Sequence, residues 1–504
     1  MLSHGCWCIL GPAKPKIISD YPSATGLSAR HAYAMQRETH VSARRTVSAV
    51  VCAAVVCGLA STSAASTPRT GLSFGPALAL TNTPNFGGSE PSAFTDSEGG
   101  TWVTAHKTYY GIAASPNQAG STVPVRSASW LWYSKDGKRF GPPPGETPLQ
   151  EYQVLFGDEA DIAPSPDGSV YFSDLNTASQ TLSRWQLTPG GPELVTSKPL
   201  YDVTPGTSTA PPSLGSDRPF IAAGRDGVLL VFSRPGLGSS LSVSRDYGAT
   251  YTTPPFATGA QYCRPWADRT PGSHRLIAVC NTSTDTNAPS EAPLIVWTTD
   301  DYGLHWTSST LHGPLNDSAG GGGDFPSIGQ APDGTLYVVS SYATHANDPS
   351  QPLLAVTFPG IYDTRTIVWL LTSRDRGATW TRRDITPGPG IWTQPAVAVS
   401  PVDGHLGLVS YWRSGIGAPW TVKAGLFTGR TTPTMSNVDA GRMVAVGSEP
   451  TPQGDFLQPT IGLDNKLAAV WSSAEAVSDM TEPIPTNAAG GKGGSATIFY
   501  ARQR

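Results

Sequence analysis

The chain has 504 residues and a formal net charge of −4, and only 14% of its residues are Asp, Glu, Lys or Arg. No basic stripe is present to neutralise phosphates, which excludes nucleic acid as an expected partner. Its 54 Gly and 46 Pro imply many turns, while 14 Trp, 17 Tyr and 14 Phe supply core material that disordered chains lack.

Residues 1–34 read as neither signal nor fold, so Met35 is the expected start. Arg44 and Arg45 then form a positive region, residues 46–60 an apolar run, and Ser63, Ala64 and Ala65 a small-residue cleavage site. That makes 35–65 an export signal, too short in its apolar part to remain as a spanning helix. The expectation is a secreted, extracellular, monomeric chain, with 66–504 as a single domain and no membrane contact after cleavage. The paired arginines leave the general and twin-arginine routes both open. Cleavage removes Cys6, Cys8, Cys52 and Cys57 and leaves Cys263 and Cys280. These two flank the turn 270–273 symmetrically, so a hairpin sets them opposite one another, within reach of a disulfide. The alternative is a pair of free buried thiols.

Residues 72–82 read as a lone strand. Seven repeats follow, each opening on a short strand, often led by Pro, and returning through a turn into a strongly hydrophobic strand. The pairs are 91–95 with 101–106, 159–163 with 169–173, 218–223 with 228–233, and 264–267 with 275–281. The last three are 325–329 with 335–340, 394–399 with 405–411, and 458–463 with 466–472. Asp167-Gly168, Asp226-Gly227, Asp333-Gly334 and Asp403-Gly404 are hairpin chemistry, because Gly takes positive φ and Asp bonds its own backbone. A third strand follows, for example 129–134, 240–244, 294–299 and 366–373, and then a recurring turn of form S-x-D-x-G-x-x-W. It stands at Ser373, Asp375, Gly377 and Trp380, at Thr299, Asp301, Gly303 and Trp306, and at Ser244, Asp246, Gly248 and Tyr251. A shortened copy occupies Ser134, Asp136, Gly137 and Phe140. Four antiparallel strands reiterated every ~45–70 residues predict an all-β propeller of four-stranded blades. The count is seven blades, with six as the alternative. The last repeat ends in a third strand at 496–501, so residues 72–82 are expected to complete its sheet and close the ring by pairing the two terminal strands.

The recurring turn resembles the Asp-box, or BNR, repeat of the sialidase-like propeller superfamily, over roughly residues 72–504. The resemblance implies that Asp136, Asp246, Asp301 and Asp375 cap their turns, and that Phe140, Tyr251, Trp306 and Trp380 wedge into the core. It also places those turns on the face away from the substrate site. Function is then expected where the innermost strands begin, around the central pore. Glu90, Asp158, Glu159, Asp161, Asp217, Arg218, Arg264, Asp324, Gln394 and Gln458 stand at or just before those starts.

Exo-sialidases grip a substrate carboxylate with an arginine cluster that often starts at an R-I-P motif. Arg218-Pro219 and Arg264-Pro265 resemble that motif without its middle residue, and Arg413 or Arg275 would be the third arginine. Substrate binding is therefore assigned to Arg218 and Arg264, with Glu90, Asp324, Gln394 and Gln458. The family also uses a tyrosine nucleophile with carboxylate partners. Tyr262, Tyr411 or Tyr342 would supply the phenol, and Asp158, Glu159 or Asp161 the proton chemistry. Two departures are evident: the family's catalytic ring resembles six blades, and the arginine triad is incomplete. The histidines lack metal-ligand spacing, and the glycine run at 320–323 lacks the Lys-Ser/Thr of a phosphate loop. No metal and no cofactor are expected. Two readings result. One is a carbohydrate-active protein, a glycoside hydrolase of exo-sialidase type, acting on an extracellular glycan at the pore face. The other is a non-catalytic propeller that binds a glycan, another small ligand or a protein on that same face. Carboxylates at strand starts also serve turns and rim ion pairs, worth about 0–1 kcal/mol each.

Overall fold

The computed structural model describes residues 71–80, 86–109, 129–144, 157–176, 180–199, 219–233, 240–252, 260–282, 294–311, 325–343, 366–415, 418–439, 457–473 and 497–504. All belong to the compact unit Ser66–Arg504; the expected leader and export signal lie outside the described residues. Every regular element among them is a β-strand.

The first strand, β1 (Leu78–Ala79), joins the last sheet. Blade 1 is β2 (Phe86–Thr95), β3 (Thr101–Tyr109) and β4 (Trp130–Ser134). Blade 2 is β5 (Gly157–Pro164), β6 (Ser169–Asn176), β7 (Gln180–Thr188) and β8 (Gly191–Pro199). Blade 3 is β9 (Ile221–Ala223), β10 (Leu229–Ser233) and β11 (Ser240–Ser244). Blade 4 is β12 (Ala260–Ala267), β13 (Leu276–Thr282), β14 (Leu294–Thr299) and β15 (Thr307–Thr310). Blade 5 is β16 (Ser327–Gln330), β17 (Leu336–Ala343), β18 (Thr366–Ser373) and β19 (Thr381–Asp384). Blade 6 is β20 (Ile391–Val399), β21 (Leu406–Arg413), β22 (Thr421–Phe427) and β23 (Ser436–Asn437). Blade 7 is β24 (Gln458–Ile461), β25 (Leu467–Ser473) and β26 (Thr497–Arg502), completed by β1. Neighbouring innermost strands touch from β2 around to β24, and β24 touches β2 again, so the protein is a closed seven-bladed propeller.

The strand chemistry explains the layering. Second strands are packed by neighbouring blades on both faces, and β10 (LLVFS) and β25 (LAAVWSS) are buried at every residue. Outer strands face solvent: β15 (TSST) and β19 (TRRD) are polar and mostly exposed, which blunts the sheet edge. Between blades 1 and 2, Trp102 and Trp185 are wholly buried with ring centroids 5.9 Å apart. Burying side chains of this size contributes at least about 2–3 kcal/mol each.

In two blades the described residues hold three named strands and a fourth outer segment. Among the described residues the outer segment of blade 1 pairs through the bridge Tyr133–Gly141, and that of blade 3 through Val243–Thr252. The sequence supplies the reason: Gly141 is followed by Pro142, Pro143 and Pro144, and Thr252 soon by Pro254 and Pro255. Proline has no N–H for a ladder. The expected strand 72–82 is likewise reduced to β1 and a bridge at Phe74–Gln503, with Pro76 between them. Closure holds nonetheless: Leu78 pairs with Tyr500 and Ala79 with Phe499, and Arg504 N donates to Ser73 O at 2.9 Å.

The recurring turns are built alike. Ser244 Oγ donates to Asp246 Oδ1 and accepts from Gly248 N, both at 2.8 Å. Asp246 Oδ1 then caps the N–H groups of Ala249 and Thr250 at 2.9 and 2.8 Å. Thr299 with Asp301, and Ser373 with Asp375, repeat this pattern. Asp136 caps Lys138 N and Arg139 N at 2.8 and 3.1 Å. Gly303 needs its φ of +83° and its missing side chain, since a Cβ there would meet Val243 Cγ2 at 2.8 Å. Trp306 and Trp380 send Nε1 back to the carbonyls of Gly303 and Gly377 at 3.1 Å. These turns end third strands, so they share a face with the first-hairpin turns; Tyr247 N donates to Gly227 O at 2.9 Å. The innermost strands begin on the opposite face.

Candidate functional site at the mouth of the channel

The seven innermost strands enclose a channel of ≈140 Å³, lined at one end by Ser92, Arg264, Ser327 and Gln458. At that end lies a small mouth where Arg264, Gln394 and Gln458 meet Phe220, Phe325 and Leu457. Three members of the expected binding set are thus brought together from blades 4, 6 and 7.

Backbone irregularity shapes this mouth. β2 is bulged between Ser89 and Ser92, and β20 between Thr393 and Ala396. Glu90 and Gln394 occupy these bulges with φ of 56° and 51°. Each precedes a proline, Pro91 or Pro395, and the left-handed region is unfavourable for a side-chain-bearing residue. Such a conformation costs about 1–3 kcal/mol and concentrates at functional positions. β5 has a matching irregularity between Gly157 and Ala160, the segment that carries Asp158 and Glu159.

Beneath the mouth, Asp161 is fully buried. Its Oδ1 accepts from Ser92 Oγ at 2.6 Å and from Arg264 Nη2 at 3.1 Å, and its Oδ2 from Ile221 N at 3.0 Å. Both oxygens are therefore engaged, by a guanidinium and two further donors, as a buried carboxyl group requires. The guanidinium carbon of Arg264 also lies 4.6 Å over the Phe220 ring. Phe220 meets Phe325 edge-on at 6.0 Å. Arg264 keeps 20% of its side chain exposed, and among the described residues its fork makes no other hydrogen bond. The Cys263–Cys280 disulfide ties β12 to β13 one residue before Arg264.

The other expected residues fall elsewhere. Tyr411 has no exposed surface; its hydroxyl donates to Ser472 O at 3.4 Å and accepts from Ser472 N at 3.3 Å. Burial, with a smaller push from the charge of Glu90, raises its pKa to about 12 against those hydrogen bonds. It is a core phenol of blades 6 and 7 rather than a group facing the mouth. Arg413 is buried too, with its guanidinium 4.4 Å over Trp420. Arg275 lies on the turn face, where it grips both oxygens of Asp300 at 2.7 Å. It cannot join Arg264 at one substrate carboxylate. Asp158 and Glu159 enter on β5, Tyr262 on β12 two residues before Arg264, and Tyr342 on β17. Arg218, Asp217 and Asp324 lie outside the described residues.

Sequence reasoning missed Phe220, Phe325 and Ser92. The signal for them was positional: Phe220 follows Arg218-Pro219 and Phe325 follows Asp324, at strand starts already marked as pore-facing. Among the described residues, no group of three His, Cys, Asp or Glu side chains is placed to hold a metal ion.

Fold and site together define a seven-bladed propeller with a polar, aromatic-backed mouth on its strand-start face. No protein-family model and no curated protein sequence matches the chain. Among solved structures it is similar to a protein of unknown function from Dyadobacter fermentans, at 16% identity and TM-score 0.45, over 86% of this chain and 100% of that one. It is also similar to the GH93 α-L-arabinofuranosidase of Fusarium graminearum, at 13% identity and TM-score 0.42, over 86% and 98% of the two chains. A third likeness is to the NanB sialidase of Streptococcus pneumoniae, at 12% identity and TM-score 0.39, over 86% and 70%. Similarities at this level bear on neither activity nor ligand.

Proposed function

We propose that this chain is an exported, carbohydrate-active propeller of the Asp-box type that takes an acidic extracellular glycan at the strand-start mouth. The observation that carries the reading is the meeting of Arg264 with Gln394 and Gln458 beside Phe325. A guanidinium held from below by Asp161 and stacked on Phe220 presents donors in one plane, which suits a sugar carboxylate. The Gln458 amide offers a donor and an acceptor to hydroxyl groups. Phe325, half-buried, offers an apolar surface to a sugar ring.

In the hydrolytic form of this reading, of exo-sialidase type, the acid, base and nucleophile come from Asp158, Glu159 and Tyr262. Arg218 and Asp324 complete the binding set. Asp161 acts as a positioning group by orienting Arg264. The second form, a binding module without chemistry, is supported by the burial of both Asp161 and Tyr411.

The test is a fluorogenic glycoside panel that includes a sialoside, run beside a glycan array on wild type and Arg264→Gln. Turnover lost in the variant supports the hydrolase, and array binding without turnover supports the module. Neither turnover nor binding removes the carbohydrate reading.

A further inference from the structure

The channel has a second end, on the turn face. Arg269 follows β12 in the hairpin turn and lines the channel with Trp266 and Gln330. Its guanidinium carbon stands 4.7 Å over the Trp266 ring. Gln330 holds this stack in place, because its Oε1 accepts from Trp266 Nε1 at 3.3 Å and from the Arg269 backbone N–H at 2.8 Å. Gln330 is fixed in turn by donating to Asp268 Oδ1 at 2.6 Å.

Asp268, the adjacent carboxylate, is engaged elsewhere. It accepts from Thr270 N at 2.9 Å, from Ser273 Oγ at 2.7 Å and from Arg376 Nε at 2.8 Å. Among the described residues, Arg269 makes no ion pair and no carboxylate lines the channel. Arg264, at the far end, is already compensated by Asp161. Among the described residues the passage's one uncompensated charge is positive, and such a charge on a channel wall concentrates anions. Stacking occupies a face of the guanidinium and leaves its N–H donors, which lie in the ring plane, for a ligand.

We propose that the turn-face end of the channel is a binding site for a small oxyanion, a carboxylate or phosphate group, gripped by Arg269 with Trp266 as its backing. Size restricts the occupant. The channel's ≈140 Å³ is comparable to a cavity of about 150 Å³ that takes one benzene-sized molecule. Inorganic phosphate or a short carboxylic acid fits, whereas an oligosaccharide does not. The ligand class therefore differs from that of the strand-start mouth.

The experiment titrates the full-length protein with inorganic phosphate, and separately with acetate and succinate, at constant ionic strength. Isothermal calorimetry and thermal shift are the readouts. Saturable millimolar binding of one of them is expected. It should weaken by about tenfold or more in Arg269→Gln, since a charge-assisted pair is lost, and persist in Arg264→Gln. Arg269 is exposed and its backbone bond does not depend on its side chain, so the variant should fold. Gln330→Ala, which frees the stack, should weaken binding to a lesser degree. Which probe binds identifies the anion. No saturable binding of any probe, or equal affinity in Arg269→Gln, overturns the proposal, and glycan binding by that variant separates this outcome from failure of the mouth site.

Discussion

Arg264 and Asp161 lie 103 residues apart in sequence, yet Arg264 Nη2 donates to Asp161 Oδ1 at 3.1 Å on the channel wall. The same carboxylate holds Ser92 in blade 1 and the Ile221 N–H in blade 3. One buried side chain thus ties together four consecutive blades and sets the angle at which Arg264 meets the mouth.

Removing that carboxylate should damage stability and recognition together. Asp161→Ala leaves Arg264 and the Ile221 N–H without an acceptor, and breaking a buried pair costs about 3–5 kcal/mol. Denaturant unfolding should show the loss, and glycan binding should fall in parallel. A variant as stable as wild type would mean that the four-blade tie is energetically idle.

Tyr411 gives a sharper test of mechanism. Its phenol is sealed in the core and bonded to Ser472. Any turnover found on the glycoside panel should survive in Tyr411→Phe, with a stability loss of about 1 kcal/mol. Complete loss of turnover in a folded variant would return Tyr411 to the nucleophile's role.

The disulfide closes a loop with a sequence separation of 17. Replacing both Cys263 and Cys280 by Ala should cost about 3 kcal/mol through the freedom restored to the unfolded chain. A melting comparison measures this. Alkylation of both thiols in the native protein without reductant would show that the bond is not formed.

Acid should weaken the turn face first. Burial tends to raise the pKa of Asp268, but hydrogen bonds from Gln330, Thr270 and Ser273 outweigh it and hold the value at about 2. Bonds from Thr379 and Ser373 likewise hold Asp375 at about 2. Both folded values lie below the unfolded one, near 3.9. Their stabilisation is therefore complete above about pH 4 and is lost as pH falls toward 2. Asp268→Asn should cost about 2 kcal/mol at pH 7 and little at pH 2. Unfolding curves across that range check the sign.

Ring closure predicts a threshold in N-terminal truncation. Deletion up to residue 70 should leave the propeller intact. Deletion through residue 80 removes β1 and bares the edge of β26, an open template for intermolecular pairing. Size-exclusion chromatography should find a monomer in the first case and aggregates in the second.

The repeating hairpins, the all-β class, the seven-fold count, the Cys263–Cys280 pairing and the partnership of the terminal segments were legible in the sequence. Each rests on local chemistry: a positive-φ Gly after Asp, a strand apolar on both faces, two cysteines symmetric about a turn. The prolines at 142–144, 254–255 and 76 were equally visible. Their effect is to stop a ladder that neighbouring strands would otherwise extend, so the shortened outer strands followed from pairing rather than propensity.

The site was legible only as a set of strand starts. Sequence order could not say that Arg264, Gln394 and Gln458 would share a mouth, that Asp161 would be consumed in orienting Arg264, or that Tyr411 would sit in the core. It also could not show that Arg275 and Arg269 belong to the far face of the ring. Hydrogen bonding and periodicity act over a few residues, and they dictate what each blade is. Burial and charge compensation depend on which blades become neighbours when the ring closes, so only the tertiary structure decided which polar groups face a ligand.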